Sequence, residues 1–468
     1  MKKLAFILLV TFVLLVIGCS SNILDTSDIF SPEDFQTNYD EDKSTFIQLN
    51  SDTAFSDSKT VKISGNTITI TDKGTYILSG NLGDGMIIVD AGKKDRVHLI
   101  LDNVHISNKT SSPIYIKQSE KVFITLKENS TNTLSNGGTF ITIDESNIDA
   151  VIFSKEDLTI NGTGTLKINS PEGHGIVSKD SLILTGGTYE IISKYHGLSG
   201  KNSICIADAD INIISGKDGI HSENKDDNSL GFIYIKNGTY NISSKGDGIA
   251  ASSKLLIDDG TFKIVNDGEN TSSAADEDDN NGSTSRKGIK SSGSIVINGG
   301  SFIINSVEDA IHSDASININ GGSFQISTDD DGIHADDTIE ISSGEININR
   351  CYEGIEGSKV KISGGIITLN AIDDGINAAG SDEKKDNSNG SIIISDGNIY
   401  IKAGGDGIDS NGTLTISGGL TVVCCPSTGD TSIIDFDVGG TIEGGYFLAV
   451  AHLACLKSLV NQNKVSSH

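Results

Sequence analysis

The chain has 468 residues, a formal net charge of −28 at pH 7, 53 glycines and only four prolines. A chain this acidic is repelled by a phosphate backbone, which argues against nucleic acid as a partner. It contains no tryptophan, so a stacking surface for sugars would have to be built from other side chains.

The first 50 residues predict a secreted protein with a lipid anchor. A basic start, MKK, precedes an apolar run from Leu4 to Ile17, which is a secretory signal and too short to span a membrane comfortably. The sequence Gly-Cys-Ser-Ser at 18–21 resembles a bacterial lipobox, which implies diacylglycerol on Cys19. We therefore expect a signal peptide at 1–18, a flexible acidic tether at 19–50, and a lipoprotein anchored by Cys19 in the membrane at the bacterial cell surface.

From residue 173 the chain repeats one phrase, in which an aliphatic residue follows a turn rich in glycine and aspartate, and weaker units such as VKISGNTITI (61–70) extend the pattern upstream. The aliphatic residue recurs mostly in steps of 22, at positions 176, 198, 220, 249, 289, 311, 333, 355, 376 and 408. Each unit holds about three short alternating runs, which are typical of strands with one buried face. Three strands in so short a unit suffice for one coil of a solenoid with a continuous core. The sequence predicts an all-β parallel β-helix with about 22 residues per coil at 51–450, followed by an atypical C-terminal tail at 451–468.

Carboxylates gather at one corner of these units. In TDDDGIHADD (328–337), alternation places Ile333 inward and His334 outward. Strands of successive coils lie about 4.8 Å apart, so the aspartates would form a column in which like charges repel by about 1 kcal/mol per close pair in water. Hard divalent cations bind several carboxylate and carbonyl oxygens, so we expect calcium here. The candidate calcium ligands are Asp309, Asp314, Asp330, Asp331, Asp336, Glu353, Asp373, Asp374 and Asp406.

A simpler interpretation of each single aspartate stays open, because Asp-Gly is also favourable turn chemistry on a solvated edge. The acidic insertion AADEDDNNGST (274–284) resembles the start of an EF-hand loop. Its twelfth position is Gly288 instead of the bidentate glutamate that such a loop requires. The insertion is therefore not predicted to bind calcium.

The residue after the central aliphatic forms a second, outward-facing ladder. It runs through His221, Ala250, Lys290, His312, His334, Glu356, Asn377 and Asp409. The long insertions leave turns that flank this strand, and loops on one face of a repeat protein often mark its binding side. A long polar groove with a repeat of one coil suits a linear polymer. His312, His334, Glu356 and Asn377 are therefore predicted to bind polysaccharide.

The DGIHSD-like and INGGSF-like units after a lipoprotein signal resemble a family of bacterial surface carbohydrate-binding proteins. The resemblance covers most of 60–450 and is strongest over 286–419. It implies a right-handed parallel β-helix like that of polysaccharide lyases, bound calcium, and recognition of cellulose and of pectin-type acidic sugars such as polygalacturonate. The segment GGYFLAVAHLACLKSLVNQNK departs from the pattern, so the capping of the last coil stays open.

Calcium-dependent binding of a plant-type or acidic polysaccharide is thus the expected function, with no catalytic residue assigned. One alternative is a calcium-dependent polysaccharide lyase of the pectate-lyase type, which uses a strong base, commonly arginine. Arg350 is the placed candidate among three arginines, although it could equally pair with neighbouring carboxylates. The second alternative is a structural adhesin whose calcium ladder stiffens the rod.

Overall fold

The structure, a computed structural model, describes residues 24–144, 147–266, 285–379, 389–425 and 431–450. Two short 3-10 helices, Pro32–Phe35 and Glu41–Lys43, precede a chain built of strands. Among the described residues, no helix has the length and apolar character needed to cross a membrane. The predicted signal peptide, Cys19, the acidic insertion at 274–284 and the C-terminal tail lie outside the described residues.

Parallel strands stack in three columns, because each coil contributes one strand to each column. The first column contains Thr67–Ile70, Met86–Asp90, Ile114–Gln118, Ala150–Ser154, His174–Ser178, Leu198–Gly200, Ile220–Ser222, Ile249–Ala251, Ile289–Ser291, Ile311–Ser313, Ile376–Ala378, Ile408–Ser410 and Ile434–Phe436. The second contains Lys121–Leu126, Asp157–Gly162, Ser181–Leu184, Ser203–Ile206, Phe232–Ile235, Leu255–Ile257, Ile295–Ile297, Ser316–Ile319, Gly412–Ile416 and Gly439–Ile442. The third contains Thr131–Asn136, Thr165–Ser170, Thr188–Ser193, Asp210–Ser215, Thr239–Ser244, Thr261–Asn266, Ser301–Asn305, Ser323–Ser327, Glu345–Cys351, Leu420–Cys424 and Tyr446–Val450.

Some strands continue around a corner from one column into the next. They are Gly74–Leu82, Arg96–Asn108, Ile333–Ile341, Ile355–Ala371 and Gly390–Lys402. At the N-terminal end, Thr45–Ser51 pairs in parallel with Gly74–Leu82. It also forms an antiparallel hairpin with Thr53–Phe55, and Val61–Ser64 forms one with Thr67–Ile70.

The register of the first column follows the sequence repeat. Ile176 pairs with Leu198, which pairs with Ile220, so these neighbouring coils are offset by 22 residues, and the offset is 21 between Ile355 and Ile376. Across the long insertion, Ile249 pairs with Ile289. The all-β class and the solenoid-like stack of parallel strands are therefore confirmed, and the right hand of the coil stays a prediction.

The inward side chains form one continuous core of isoleucine, leucine and valine. Inside the third column, rings stack at centroid distances of 4.6 Å along Tyr240, Phe262, Phe302 and Phe324. A glycine precedes each ring by two residues because the turn needs a positive φ, which is 107° at Gly300. The repeated Gly-Gly-Ser-Phe phrase is thus a core motif, and its phenylalanines do not form a sugar platform.

The first described residues pack against the outer face of the second column. Residues 24–36, called here the N-terminal strap, place Leu24, Ile29 and Phe30 on an apolar patch. The patch consists of Ile183, Cys205, Tyr234 and Leu256, with Phe232 and Val296 at its border. The strand Thr45–Ser51 then joins the sheet. The prediction of a free, flexible tether is therefore wrong for residues 24–50.

A buried ionic contact fixes the strap. Asp34 is 1% exposed, and its Oδ1 lies 2.7 Å from Nζ of Lys121 and 2.6 Å from Oγ1 of Thr159. The amide of Asn161 donates to the backbone carbonyls of Asp34 and Gln36. The sequence missed this contact because the partners of Asp34 are remote along the chain and the strap has no periodic pattern.

Candidate functional site

The predicted carboxylate column is present at the corner where each third-column strand turns into the next first-column strand. Its carboxylates accept hydrogen bonds from the backbone of the following coil. The N–H of Asp331 donates to Oδ1 of Asp309 at 3.2 Å, and the N–H of Glu353 donates to Oδ1 of Asp331 at 3.1 Å. The N–H of Asp406 donates to Oδ1 of Asp374 at 2.6 Å. The aspartates therefore also link neighbouring coils by hydrogen bonds, which agrees with the simpler interpretation that they stabilise the turns.

The middle of the column is a histidine–carboxylate cluster formed by Asp309, His312, Asp331, His334 and Glu356. Within each repeat, the aspartate pairs with the histidine three residues later. Nδ1 of His312 lies 2.7 Å from Asp309, and Nδ1 of His334 lies 3.0 Å from Asp331 and 2.9 Å from Glu356. The two imidazole rings stack with centroids 5.0 Å apart, which places them on the predicted ladder.

This cluster carries its own positive charge. Nζ of Lys287 lies 2.6 Å from Oδ2 of Asp309. Burial raises the pKa of Asp309, but His312 and Lys287 outweigh it and hold that pKa well below its usual range. Burial lowers the pKa of His334, but the carboxylates of Asp331 and Glu356 outweigh it and raise that pKa to about 11. The imidazole is therefore an imidazolium at neutral pH.

The interpretation that calcium must neutralise the whole column is consequently too broad. Asp309 and Asp331 already have cationic partners from the chain itself. Lys287 was not identified as such a partner from the sequence. The repeat does contain the signal, because Lys-Gly-Ile at 287–289 occupies the position that Asp-Gly-Ile has in the neighbouring unit at 247–249.

The other predicted ligands around this cluster lie at its edges. Oδ1 of Asp314 is 2.9 Å from Nε2 of His312. Oδ1 of Asp336 is 3.5 Å from Nε2 of His334, and the Asp336 side chain is 60% exposed. Asp330 comes within 4.8 Å of Asp309 and Asp331 through carboxylate oxygens.

Further along, the column contains acidic groups that have no cationic partner within the described ranges. We call Glu353, Asp374, Asp406, Asp409 and Asp435 the C-terminal carboxylate cluster; among the described residues, no lysine, arginine or histidine forms an ion pair with any of them. Oxygens of the last three lie within 4.8 Å of one another. Burial, with the charge of Glu356, raises the pKa of Glu353 to about 8. Burial and neighbouring carboxylates raise the pKa of Asp374 and Asp409 to about 6.

An amide oxygen without a partner lies in the same region. Asn377 is 9% exposed, and its Nδ2 donates to Oε2 of Glu353 at 3.0 Å. Its Oδ1 is buried and has no hydrogen-bond partner within the part of the chain that the structure describes. An unsatisfied buried acceptor is costly, and a carbonyl oxygen beside carboxylates is a donor set that suits a hard divalent cation. The residues present therefore fit calcium.

Sequence reasoning found this region only in part. Glu353, Asp374 and Asp406 were among the predicted calcium ligands, whereas Asn377 was assigned to glycan and Asp435 was not singled out. Asp409 was placed only on the outward ladder. The register places Asp435 directly beside Asp409, a neighbour that the sequence hides because the repeat phrase is lost there. Asp373 borders the cluster and hydrogen-bonds with the hydroxyl of Tyr352.

The outward ladder of the first column is in register along its predicted length. His334 pairs with Glu356, which pairs with Asn377, which pairs with Asp409. Toward the N-terminus the same ladder position holds the buried rings of Tyr115 and Phe153, which Ile148 covers. The rest of the ladder, from Ser199 to Asp435, is called here the polar stripe, and its side chains change from histidine and lysine to carboxylate along the axis.

Within the described residues, Arg350 forms no ion pair with either cluster. Its Nη1 lies 2.5 Å from Oδ1 of Asp329, and the two side chains are 60% and 57% exposed. Arg350 thus pairs with a neighbouring carboxylate, which is the alternative to a catalytic role that was named for it from the sequence. No observation in the described residues favours its use as a base.

Comparison with known proteins identifies similar chains. The family profile described as "Carbohydrate-binding domain-containing protein" matches residues 64–332 and 329–445. A protein of that description from Acetivibrio thermocellus is 38% identical over 133 residues, which are 28% of this chain and 46% of the relative. The match thus spans about half the length of that curated relative. The structure of the polysaccharide lyase-like protein from C. thermocellum, as a gadolinium derivative, is 34% identical with a TM-score of 0.45, covering 47% of this chain and 89% of that one.

Proposed function

Since the chain belongs to the family of carbohydrate-binding domain-containing proteins, we propose that it binds an acidic polysaccharide through calcium held at the C-terminal carboxylate cluster. The family membership supplies the ligand class. The acidic type of the polysaccharide, the calcium and the anchoring at the cell surface are the proposed parts.

The buried, unpartnered Oδ1 of Asn377 carries this proposal. It lies on the polar stripe beside Glu353, where neighbouring carboxylates raise one another's pKa and the described residues offer no cation. In the absence of metal, protonation relieves the repulsion. Calcium, when bound, would supply positive charge that joins these oxygens to the carboxylate of a uronic acid.

The polar stripe provides the remaining contacts along a chain of sugars. The imidazolium of His334 and the ring of His312 face outward in successive coils and are 25% and 14% exposed as side chains. Nε2 of His334, which lies 3.5 Å from the exposed Asp336, can donate a hydrogen bond to a sugar oxygen or carboxylate. Both ring nitrogens of His312 are paired with Asp309 and Asp314, so His312 would contact a sugar through the face or edge of its ring. The stripe repeats at about 4.8 Å, so a linear polymer can make similar contacts in successive coils.

Attachment to a membrane through lipid on Cys19 completes the proposal. A surface protein that captures a plant-type or acidic polysaccharide, cellulose or polygalacturonate, would need no catalytic group. A lyase acting through Arg350 and a stiff adhesin are alternatives that the following experiment separates.

Polygalacturonate is expected to bind the chain from residue 20 onward only in the presence of calcium. Glu353→Gln removes a carboxylate ligand of the proposed calcium, and Asn377→Ala removes its amide oxygen ligand. Each substitution should therefore weaken the binding of polygalacturonate roughly tenfold or more. Isothermal titration calorimetry measures the affinity, before and after chelation. Glu340→Gln is the matched control, since Glu340 is an exposed acid on the second column that pairs with Lys361 at 2.7 Å.

Binding that survives chelation would contradict the calcium-bridged mechanism. Calcium binding without any affinity for polygalacturonate would favour the stiff adhesin. Ultraviolet absorbance of an unsaturated product, lost in Arg350→Ala, would identify a lyase instead.

A further inference from the structure

A second surface, on another column and several coils away, has the features of a binding groove. It has a volume of about 730 Å³ and lies on the outer face of the third column. It crosses six neighbouring strands, Thr131–Asn136, Thr165–Ser170, Thr188–Ser193, Asp210–Ser215, Thr239–Ser244 and Thr261–Asn266. Five steps of about 4.8 Å make it on the order of 24 Å long along the solenoid axis.

Two parallel rows of outward side chains line this groove. One row is polar and holds Lys167, Glu190, Asn212, Asn241 and Lys263 in register. The other row, two residues further along each strand, is largely apolar and holds Asn169, Ile192, Ile214, Ser243 and Val265. Ile192 and Ile214 are 52% and 57% exposed. The pattern ends in the next coil, where Ile303 follows Lys263 in the polar row and Asn305 follows Val265 in the apolar row.

The groove is almost uncharged. Nζ of Lys167 lies 2.7 Å from Oε2 of Glu190, so these charges offset each other, and Lys263 is the remaining charged residue of the lining. Nδ2 of Asn241 donates to Oδ1 of Asn212 at 3.0 Å. This bond leaves the carbonyl of Asn241 and the amide of Asn212 with further hydrogen-bonding capacity.

We propose that this groove binds an uncharged, extended glycan chain that lies along the solenoid axis. An extended glycan presents C–H faces and hydroxyl edges, which match an aliphatic row beside a row of amides. Each coil offers the same pair of positions, so the groove suits a ligand with a repeating unit. The inference rests on the proposed polysaccharide binding, but it does not involve calcium.

Charge selects this occupant over two others. A second copy of the chain would add another −28, which opposes self-association on a face without compensating charge. A polyuronate meets the same repulsion from the net charge of the protein, and Lys263 could offset only one of its carboxylates within the groove. An uncharged glycan is not repelled, and two separate sites on one rod would allow a mixed polysaccharide to bind with increased avidity.

Affinity electrophoresis with hydroxyethylcellulose, an uncharged polymer, tests this groove. Polygalacturonate with calcium serves as a second ligand that tests the proposed calcium site in the same variants. Ile214→Asp places an unpaired charge among the apolar contacts and should lower the affinity for hydroxyethylcellulose roughly tenfold or more. Ile303→Asp is the matched control, because Ile303 is 46% exposed on the same column just beyond the groove. Asn241→Ala removes amide contacts without adding a charge and keeps the test valid if Ile214→Asp folds poorly.

We expect the protein to bind hydroxyethylcellulose even after chelation. Ile214→Asp and Asn241→Ala should each weaken this binding, and Ile303→Asp should bind as the parent chain does. Equal binding by the groove variants and the control would overturn the proposal, as would an absence of affinity for the uncharged polymer. Polygalacturonate binding that fails while hydroxyethylcellulose still binds would instead contradict the calcium-dependent function alone.

Discussion

Calcium is expected to release about one proton per protein when it binds the chelated chain at pH 7. In the metal-free protein the pKa of Glu353 is about 8, so this carboxyl is mostly protonated at pH 7. Asp374 and Asp409, with pKa values of about 6, are mostly ionised there. A cation among them favours the ionised form of all three, so the proton on Glu353 must leave.

Calorimetric titration in two buffers with different enthalpies of ionisation measures the number of protons released. The release should approach zero above pH 9, where Glu353 is already ionised. The calcium affinity should fall as the pH is lowered below about 8, and more steeply below about 6, where Asp374 and Asp409 also take up protons. Glu353→Gln should bind calcium more weakly without releasing this proton. Normal calcium binding with no proton release in the parent chain would locate the ion away from Glu353.

The same carboxyl makes metal-free stability depend on pH in an unusual direction. Its folded-state pKa lies above the unfolded value, so its contribution is fully present below about pH 4.3 and is lost as the pH rises toward 8. Saturating calcium at about 100 times its dissociation constant would add about 2.7 kcal/mol to the free energy of unfolding. Thermal unfolding of the chelated chain at pH 5.5 and 8, with and without calcium, should show both effects.

Removing the buried carboxylate of the strap is the second change with a large expected effect. Asp34→Ala leaves the ammonium of Lys121, which is 16% exposed, without its carboxylate partner. Breaking a buried ion pair from one side typically costs about 3 kcal/mol or more. Asp34→Ala should therefore lower the unfolding temperature and expose the strap to limited proteolysis near Phe30 and Phe35.

Asp40→Ala is the matched control for the strap. Asp40 pairs with Lys43 at 2.7 Å, but the two side chains are 50% and 82% exposed, so this substitution should change stability by less than about 1 kcal/mol. Equal effects of Asp34→Ala and Asp40→Ala would mean that the strap contributes little to the fold.

The repeat made the strand columns and the outward ladder predictable from the sequence. A phrase that recurs every 22 residues sets the register, so His312 beside His334 and the inward position of Ile333 followed from alternation alone. The contacts between carboxylates and neighbouring coils also follow from stacking, but the cationic side chains that pair with Asp309 and Asp331 were not predicted. Lys287 fills an aspartate slot in one unit and gives the middle of the column a positive charge.

Features that depend on contacts outside the repeat were not predictable. The partners of Asp34 are set by where the strap crosses the second column, which no local pattern encodes. The unpartnered oxygen of Asn377 depends on which way its amide is held by Glu353. The third-column groove did have a signal in the sequence, because Ile192 and Ile214 occupy the same outward slot 22 residues apart, but isolated exposed isoleucines are common.

The path of the strap determines where any preceding segment leaves the domain. Leu24 contacts the patch that includes Tyr234, and Tyr234 follows Ile220–Ser222 and precedes Ile249–Ala251, near the middle of the stack. The chain thus departs from the flank of the rod and not from its tip. Cys19 is within about 17 Å of Leu24 even with a fully extended backbone. If Cys19 carries the proposed lipid, the rod would lie side-on to the bilayer, with the second column nearest the membrane and the other two columns facing away from it.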